Sequence, residues 1–462
     1  MGSARRLGSL DQKVWQDALA GTIRPTKKPQ GSSKTAARCS ENDPGDILPR
    51  RSGLPRGKPR VPGRFPPGTR LLYSDRTTLL TGATGLLGSY LLRDLLVAEK
   101  PVAVMARPSR RARAHERVEA LVRGWESSLG IALPRPLVLV GDLDQPLCGL
   151  GRADLGWVRK HCEQIVNNAA SLTFRGVDRE AEPWKTNVGG TGTILGLADA
   201  CGIRHVHHVS TAYVAGLRSG TVLEDEGYIG QEFGNDYEAS KVEAERLVRE
   251  ASHLETATIY RPSIIVGDSA TGYTSTYHGY YAGLRLGHTL LTRVSLGSTS
   301  GRALIALLGI DADSRKNFVP VDWVSAVIAR SIDSHSARGR TYHLTHPVPL
   351  AMEFVAEVIQ EAVESYSEAA APDAADLCDE QWFAEHLREQ LEIYQRYFRT
   401  DPTFDRSNTA AVAADLPCPA LDRDSLLRMS KYAIQHNFGW FPPDAVVSNW
   451  PRAKSDRGTF AC

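Results

Sequence analysis

The chain has 462 residues, 55 Lys and Arg against 53 Asp and Glu, and seven cysteines. That length buries a substantial core in one large domain or in two to three ordinary ones. No run of 18 apolar residues occurs, which excludes a membrane-spanning helix, and the cysteines follow no Cys-x-x-Cys or framework spacing, which excludes a disulfide scaffold.

Arg5-Arg6 is not followed by the apolar segment that an export signal requires. With reduced thiols, this predicts a cytoplasmic protein with no nucleic-acid partner. Residues 1–70 are strongly basic and the remainder mildly acidic. Lys27-Lys28-Pro29, Arg50-Arg51 and the Pro-, Gly- and Arg-rich stretch from Gly53 to Thr69 lack apolar periodicity, so 1–70 is predicted to be a disordered basic extension. Its composition also suits a polyanion-binding tail or a transit peptide, but a non-functional extension is the preferred reading.

From Thr77 to Val266, short apolar runs alternate with longer amphipathic stretches, the pattern of a parallel sheet covered by helices. Predicted strands are Thr77–Leu80, Val102–Ala106, Leu137–Val140, Gln164–Val166, His205–Val209 and Ala257–Tyr260. Predicted helices are Leu86–Val97, about 114–124, Pro183–Ala200 and Tyr237–Ser252. Beyond Pro262 the rhythm breaks into Gly, Tyr, Thr and Ser; Tyr273, Tyr277, Tyr280 and Tyr281 suit an aromatic slot or plain packing. Phe318–Ile328 and Thr341–Leu344 read as returns to the main body, and 351–365 and 381–398 as helices. Pro402, Pro417 and Pro419 divide a wrapping tail.

The predicted fold class is α/β: a Rossmann-type, doubly wound parallel sheet with a smaller, mostly helical C-terminal substrate-binding region. The dinucleotide-binding domain with the catalytic residues spans 71–270. The C-terminal region spans 271–462, with 317–345 returning to the first domain.

Two motifs carry chemistry. Thr81-Gly82-Ala83-Thr84-Gly85-Leu86-Leu87-Gly88 links the first strand to the first helix. There, the first glycine permits a tight turn, the second lets backbone approach a pyrophosphate, and the third lets helix and strand pack closely. Free amides at the helix start hold the phosphate. At the end of the second strand Arg107 stands where NAD-binding folds carry an acid, and Arg110, Arg111, Arg113 and Arg117 follow. A guanidinium forks onto a 2′-phosphate, so NADPH is expected over NADH, with Arg107 and Arg117 as ligands. Asp142-Leu143 and Asn168-Ala169-Ala170, after the third and fourth strands, are expected along the adenine and nicotinamide sides.

The second motif is Tyr237 and Lys241, one helical turn apart. Lysine's charge is expected to favour the phenolate and lower the tyrosine's pKa. Ser210 or Thr211, at the end of the fifth strand, supplies a hydroxyl for a substrate oxygen. His205, His207 and His208 have no carboxylate or cysteine at ligand spacing, and Asp311 and Asp313 read as a solvated loop.

Taken together, the glycine turn, Arg107, Val-Ser-Thr-Ala-Tyr-Val-Ala-Gly at 209–216, Tyr237 to Lys241 and Tyr-Arg-Pro-Ser-Ile-Ile-Val-Gly-Asp-Ser at 260–269 resemble the extended short-chain dehydrogenase/reductases. Within that superfamily the chain looks like the thioester-reductase and fatty acyl-CoA reductase branch, over about 77–345. The resemblance implies Thr211 as the catalytic hydroxyl, Tyr237 as acid and Lys241 as its partner. It also implies that Pro262, Ser263 and Ile265 touch the nicotinamide and that Asn187, counted among the cofactor-binding residues, steadies the active-site helix and positions Lys241. The implied activity is NADPH-dependent reduction of an acyl thioester, on coenzyme A or a carrier, or of the related aldehyde. No adenylation or carrier domain precedes the reductase portion and the basic head has no counterpart, which implies a free-standing enzyme supplied from elsewhere. Two alternatives stay open: a nucleotide-sugar epimerase or dehydratase retaining NAD, and a non-catalytic dinucleotide-binding protein.

Overall fold

The structure, a computed structural model, describes residues 76–293, 305, 310–367 and 399–439. The chain separates into Met1–Arg60 and Val61–Cys462, and every described residue lies in the second unit. The predicted basic extension and the predicted helix over 381–398 lie outside the described residues.

Seven strands form the central sheet: β1 (Thr77–Thr81), β2 (Val102–Ala106), β3 (Leu137–Val140), β4 (Cys162–Asn167), β5 (His205–Val209), β6 (Thr256–Pro262) and β7 (Thr341–Leu344). Their order is β7-β6-β5-β4-β1-β2-β3 and every pairing is parallel, the doubly wound arrangement that the alternating pattern predicts. Successive side chains divide between the faces. Leu80, Val104 and Val166 join one core with helices α1 (Leu86–Val97), α2 (Ala114–Leu129) and a later helix, Val321–Ile332. Leu79, Ala103 and Ile165 join the opposite core with α3 (Arg152–His161) and α4 (Gly190–Cys201).

Helix α2 runs past Gly124 and stops only at Gly130, whose φ of +69° closes it. Helix α3 has no counterpart among the predicted elements: just Trp157 and Val158 are buried on it, too few apolar positions for a visible period. The predicted helix over 183–200 divides into a π-helical turn, Lys185–Gly189, followed by α4.

A third core gathers α6 (Tyr280–Arg293), α8 (Met352–Tyr366) and α10 (Arg423–Gln435). Here α5 is Asp236–Glu250, α7 is Val321–Ile332 and α9 is Ser407–Val412. The tyrosines after residue 270 belong to packing. Tyr280 meets Ser430 at 2.6 Å, Tyr281 accepts the Gly267 amide at 2.9 Å, and Tyr273 packs edge-on against Trp125 and Tyr432.

The exposed side of β7 is covered by the C-terminal segment. Glu224 Oε1 accepts the His343 amide at 2.8 Å and the Thr409 hydroxyl at 2.8 Å, and its other oxygen accepts the Asn408 amide. Asn408 Nδ2 donates in turn to the Thr341 carbonyl at 3.1 Å, and Thr409 Oγ1 lies at the same distance from the His343 carbonyl.

Helix α5 is locked to β6 by a buried ion pair. Arg261 Nε and Nη2 reach the two carboxylate oxygens of Glu245 at 2.9 and 2.7 Å, with side-chain exposures of 1% and 4%. Burial opposes the Glu245 charge, but the guanidinium outweighs it and holds the carboxyl down to about 2. Because the folded value lies below the ordinary 4.5, this stabilisation is present above pH 4.5 and fades as pH falls towards 2. Arg261→Met strands a buried carboxylate and is expected to cost about 3–5 kcal/mol in thermal or urea unfolding at pH 7. An unfolding midpoint equal to wild type rules this out.

Candidate functional site

A cleft of about 630 Å³ opens along the carboxyl ends of the strands, from the glycine turn after β1 to the start of α5. In a parallel sheet every strand end faces the same way, so residues from six crossovers converge there.

The glycine turn is shaped by its own packing at two positions and open at the third. Gly82 has φ +69°, and a Cβ there would lie 2.7 Å from the Ala169 nitrogen; a Cβ on Gly88 would lie 2.1 Å from the Gly82 carbonyl oxygen. A Cβ on Gly85 would meet nothing nearer than that same oxygen at 3.5 Å, so Gly85 faces open cleft. No side chain caps the start of α1, which leaves its first amides for an anion. Leu86 and Leu87 occupy that first turn and line the cleft with Thr84. This open cradle fits the pyrophosphate of a dinucleotide. Thr81 acts behind it: its hydroxyl accepts the amides of Asn168 and Ala169, both at 3.1 Å, joining the ends of β1 and β4.

Arg107 stands exposed at the rim of the cleft beyond β2, and its guanidinium has no partner among the described residues. Arg117 lines the same end but is committed, donating to the Arg107 carbonyl at 2.7 Å and to Thr84 Oγ1 at 3.0 Å. Arg110 and Arg111 are exposed, and Arg113 caps α2, its amide bonded to Glu116 at 2.7 Å. Asp142 and Leu143 line the cleft after β3; Asn168, Ala169 and Ala170 line it after β4, with Asn168 Nδ2 on the Gly82 carbonyl at 3.2 Å. Pro262, Ser263 and Ile265 form the wall beyond β6. Asn187 does not reach the cleft: it bonds Ser240 Oγ on α5 at 2.9 Å and both backbone groups of Ser171.

Asn235 caps α5 by accepting the Glu238 amide at 3.0 Å, and the helix then presents Tyr237 and Lys241 to the cleft. Thr211, rather than Ser210, is the hydroxyl that acts on the Tyr237 phenol, and its Oγ1 lies 3.4 Å from the Pro262 carbonyl. The expectation that Lys241 lowers the phenol's pKa fails. Its ammonium turns to the Val209 carbonyl at 2.7 Å, and burial pushes the phenol up to about 12 against the lowering effect of the Thr211 hydroxyl. The same burial brings Lys241 down to about 8. Both groups favour their uncharged forms because a dry site penalises charge. The phenol is therefore a held proton, suited to donation.

Three walls of the cleft were not legible in the sequence. Phe174 meets Tyr237 edge-on at 6.0 Å from an aperiodic stretch after β4. Tyr213 lies inside the Ser-Thr-Ala-Tyr run, where its position two residues past Thr211 was the available signal. Thr276, His278 and Gly279 complete the far end. The β5 histidines are engaged elsewhere: His207 meets Tyr260 and Gln164 at 2.9 and 3.2 Å, and burial holds it down to about 3.

Known proteins match this architecture. The terminal R domain from the myxalamid PKS-NRPS biosynthetic pathway superposes with a TM-score of 0.61 at 25% identity, covering 81% of this chain and 93% of that one. Aldehyde reductase lnaA of Aspergillus flavus is 27% identical over 423 residues, 80% of this chain and 37% of that protein. A linear gramicidin synthase of Brevibacillus parabrevis is 29% identical over 281 residues, 59% of this chain but 5% of its own length. The chain thus spans well under half of these two relatives. The model of an NAD-binding family described as male sterility protein matches residues 80–328, more than half of the chain. The protein belongs to that family, and is an oxidoreductase of the extended short-chain dehydrogenase/reductase type that uses a nicotinamide dinucleotide.

Proposed function

We propose that the protein is an NADPH-dependent reductase of an acyl thioester, presented on coenzyme A or on a carrier protein, or of the aldehyde derived from it. The observation that carries this reading is the meeting of Thr211, Tyr237 and Lys241 at one end of a cleft whose other end is an open glycine cradle. Relatives named as an aldehyde reductase and as a terminal R domain of a PKS-NRPS pathway support both the chemistry and a carrier-bound substrate. The unpartnered Arg107 supports NADPH, and it speaks against an NAD-retaining epimerase, whose fold carries an acid at that strand end.

In this reading Gly82, Gly85 and Gly88 and the first turn of α1 hold the pyrophosphate, Arg107 binds the 2′-phosphate, and Asp142 and Leu143 border the adenine. Ala169, Ala170, Pro262, Ser263 and Ile265 flank the nicotinamide, and Lys241 binds its ribose. When bound, the cofactor supplies hydride for the carbonyl carbon. Tyr237 donates its retained proton to the carbonyl oxygen, and Thr211 offers that oxygen a second hydrogen bond as charge develops. With a thioester, release of the thiol leaves an aldehyde, and a second round gives an alcohol. Phe174 and Tyr213 border this end.

Tyr237→Phe is expected to lower kcat by about 10²- to 10⁴-fold in an NADPH-oxidation assay with acyl-CoA and aldehyde substrates. An undiminished rate removes the assignment. Arg107→Ala is expected to weaken NADPH by about 10- to 100-fold while leaving NADH affinity as it was, measured by fluorescence titration. Equal weakening of both cofactors contradicts the 2′-phosphate role. Because kcat/KM reports free-enzyme groups, it is expected to fall as pH rises through about 8, where Lys241 loses its charge. The phenol, at about 12, contributes no limb in that window. A level profile through pH 8 refutes the role given to Lys241.

A further inference from the structure

Thr211 sits at the end of β5, and its hydroxyl caps a short 3₁₀ turn, Ala212–Ala215, by accepting the Tyr213 amide at 3.3 Å. That turn is short and is anchored from outside the sheet. Tyr213 Oη donates to Asp401 Oδ2 at 2.9 Å across 188 residues of sequence. The same carboxylate oxygen accepts the Asn317 amide at 2.7 Å, and the other pairs with Lys316, both side chains being at most 4% exposed. The Lys316 ammonium also lies 4.8 Å from the centre of the Tyr213 ring. Asn317 in turn takes the Ser263 hydroxyl at 2.7 Å, on the opposite wall of the cleft.

One buried carboxylate thus fastens both walls between which the substrate carbonyl must lie. Asp401 itself is pinned by its amide, which donates to the Arg315 carbonyl at 2.8 Å, and by the parallel pairing of Thr403–Phe404 with Thr221–Val222. It lies beyond residue 328, where the family match ends. We infer that Asp401 is a positioning residue: acting through Tyr213, it sets the height of the Thr211 hydroxyl against Tyr237. Of the side chains on the Thr211 turn, the one that Asp401 bonds is Tyr213, which also lines the cleft. Misplacement of a reacting group by about 1 Å is enough to cost turnover without costing cofactor binding. The inference rests on the reading of Thr211 and Tyr237 given above.

Tyr213→Phe and Asp401→Asn, separately and combined in the full chain, test it, using NADPH and whichever of octanal or octanoyl-CoA the wild type reduces faster. Each single change is expected to lower kcat about tenfold, with NADPH affinity within about twofold of wild type. The combined variant is expected to be no slower than the slower single one, because both break one linkage. Wild-type kcat in Tyr213→Phe, losses that multiply in the double variant, or NADPH affinity and unfolding midpoint falling in step with kcat each overturn the inference. If Asp401→Asn does not fold, Tyr213→Phe, which keeps the ring and the Lys316–Asp401 pair, decides by the same readouts. A fully active Tyr237→Phe, or no reduction of either probe by wild type, overturns the functional reading and the inference with it. A slow Tyr237→Phe beside a wild-type Tyr213→Phe overturns the inference alone.

Discussion

The position of helix α5 depends on the guanidinium of Arg261. It grips Glu245 with two hydrogen bonds, donates to the Glu226 carbonyl at 2.8 Å and reaches His343 Nε2 at 3.4 Å. Burial pushes His343 down to about 4, and its Nδ1 faces the Asp405 carbonyl at 2.8 Å, so the ring is neutral with Nε2 free to accept. One side chain therefore ties β6, α5, β7 and the loop before α5. Tyr237, Lys241 and Glu245 follow one another at four-residue steps, so fixing Glu245 fixes the rotation and height of the other two. The charge at the third position is what aims the first two.

That arrangement also explains why the tyrosine and lysine behave differently from a pair on an exposed helix. Four-residue spacing brings two side chains to one face but does not decide where a flexible ammonium goes. Here the strand end offers Lys241 a carbonyl, and the dry surroundings penalise both a phenolate and an ammonium. The result is a proton donor next to a cation that is easily relieved of its proton, a polarity that matches reduction better than oxidation. Desolvation, rather than mutual attraction, dominates the electrostatics of this end of the cleft.

Much of the fold was legible because buried parallel strands must be uninterrupted apolar runs. Val102–Ala106 and Leu137–Val140 stand where such runs begin and end, whereas His205–Val209 and Thr341–Leu344 carry buried histidines among their apolar residues. Glycines at 82, 85 and 88 were legible for a related reason: two of them are demanded by backbone contacts closer than any side chain permits. Helix α3 was hidden by having two buried positions, and the π-helical turn before α4 by glycines that read as weak helix. The walls formed by Phe174 and by the Tyr213–Asp401 linkage were hidden for a deeper reason. They arise from contacts between distant segments, and no local period or spacing encodes such contacts.

The last strand of an open sheet normally presents a row of unused amides and carbonyls, ready to recruit a strand from another molecule. In this protein β7 offers little of that row. Side chains of Glu224 and Asn408 take the His343 amide and the Thr341 carbonyl, and the Thr409 hydroxyl sits against the His343 carbonyl, imitating a neighbouring strand without being one. For a foreign strand to add there, the segment around 405–409 would first have to be stripped away, releasing a buried carboxylate from three donors. The C-terminal segment therefore serves the sheet as a fitted stopper, and aggregation through this edge is closed off by the same residues that keep the final strand in register.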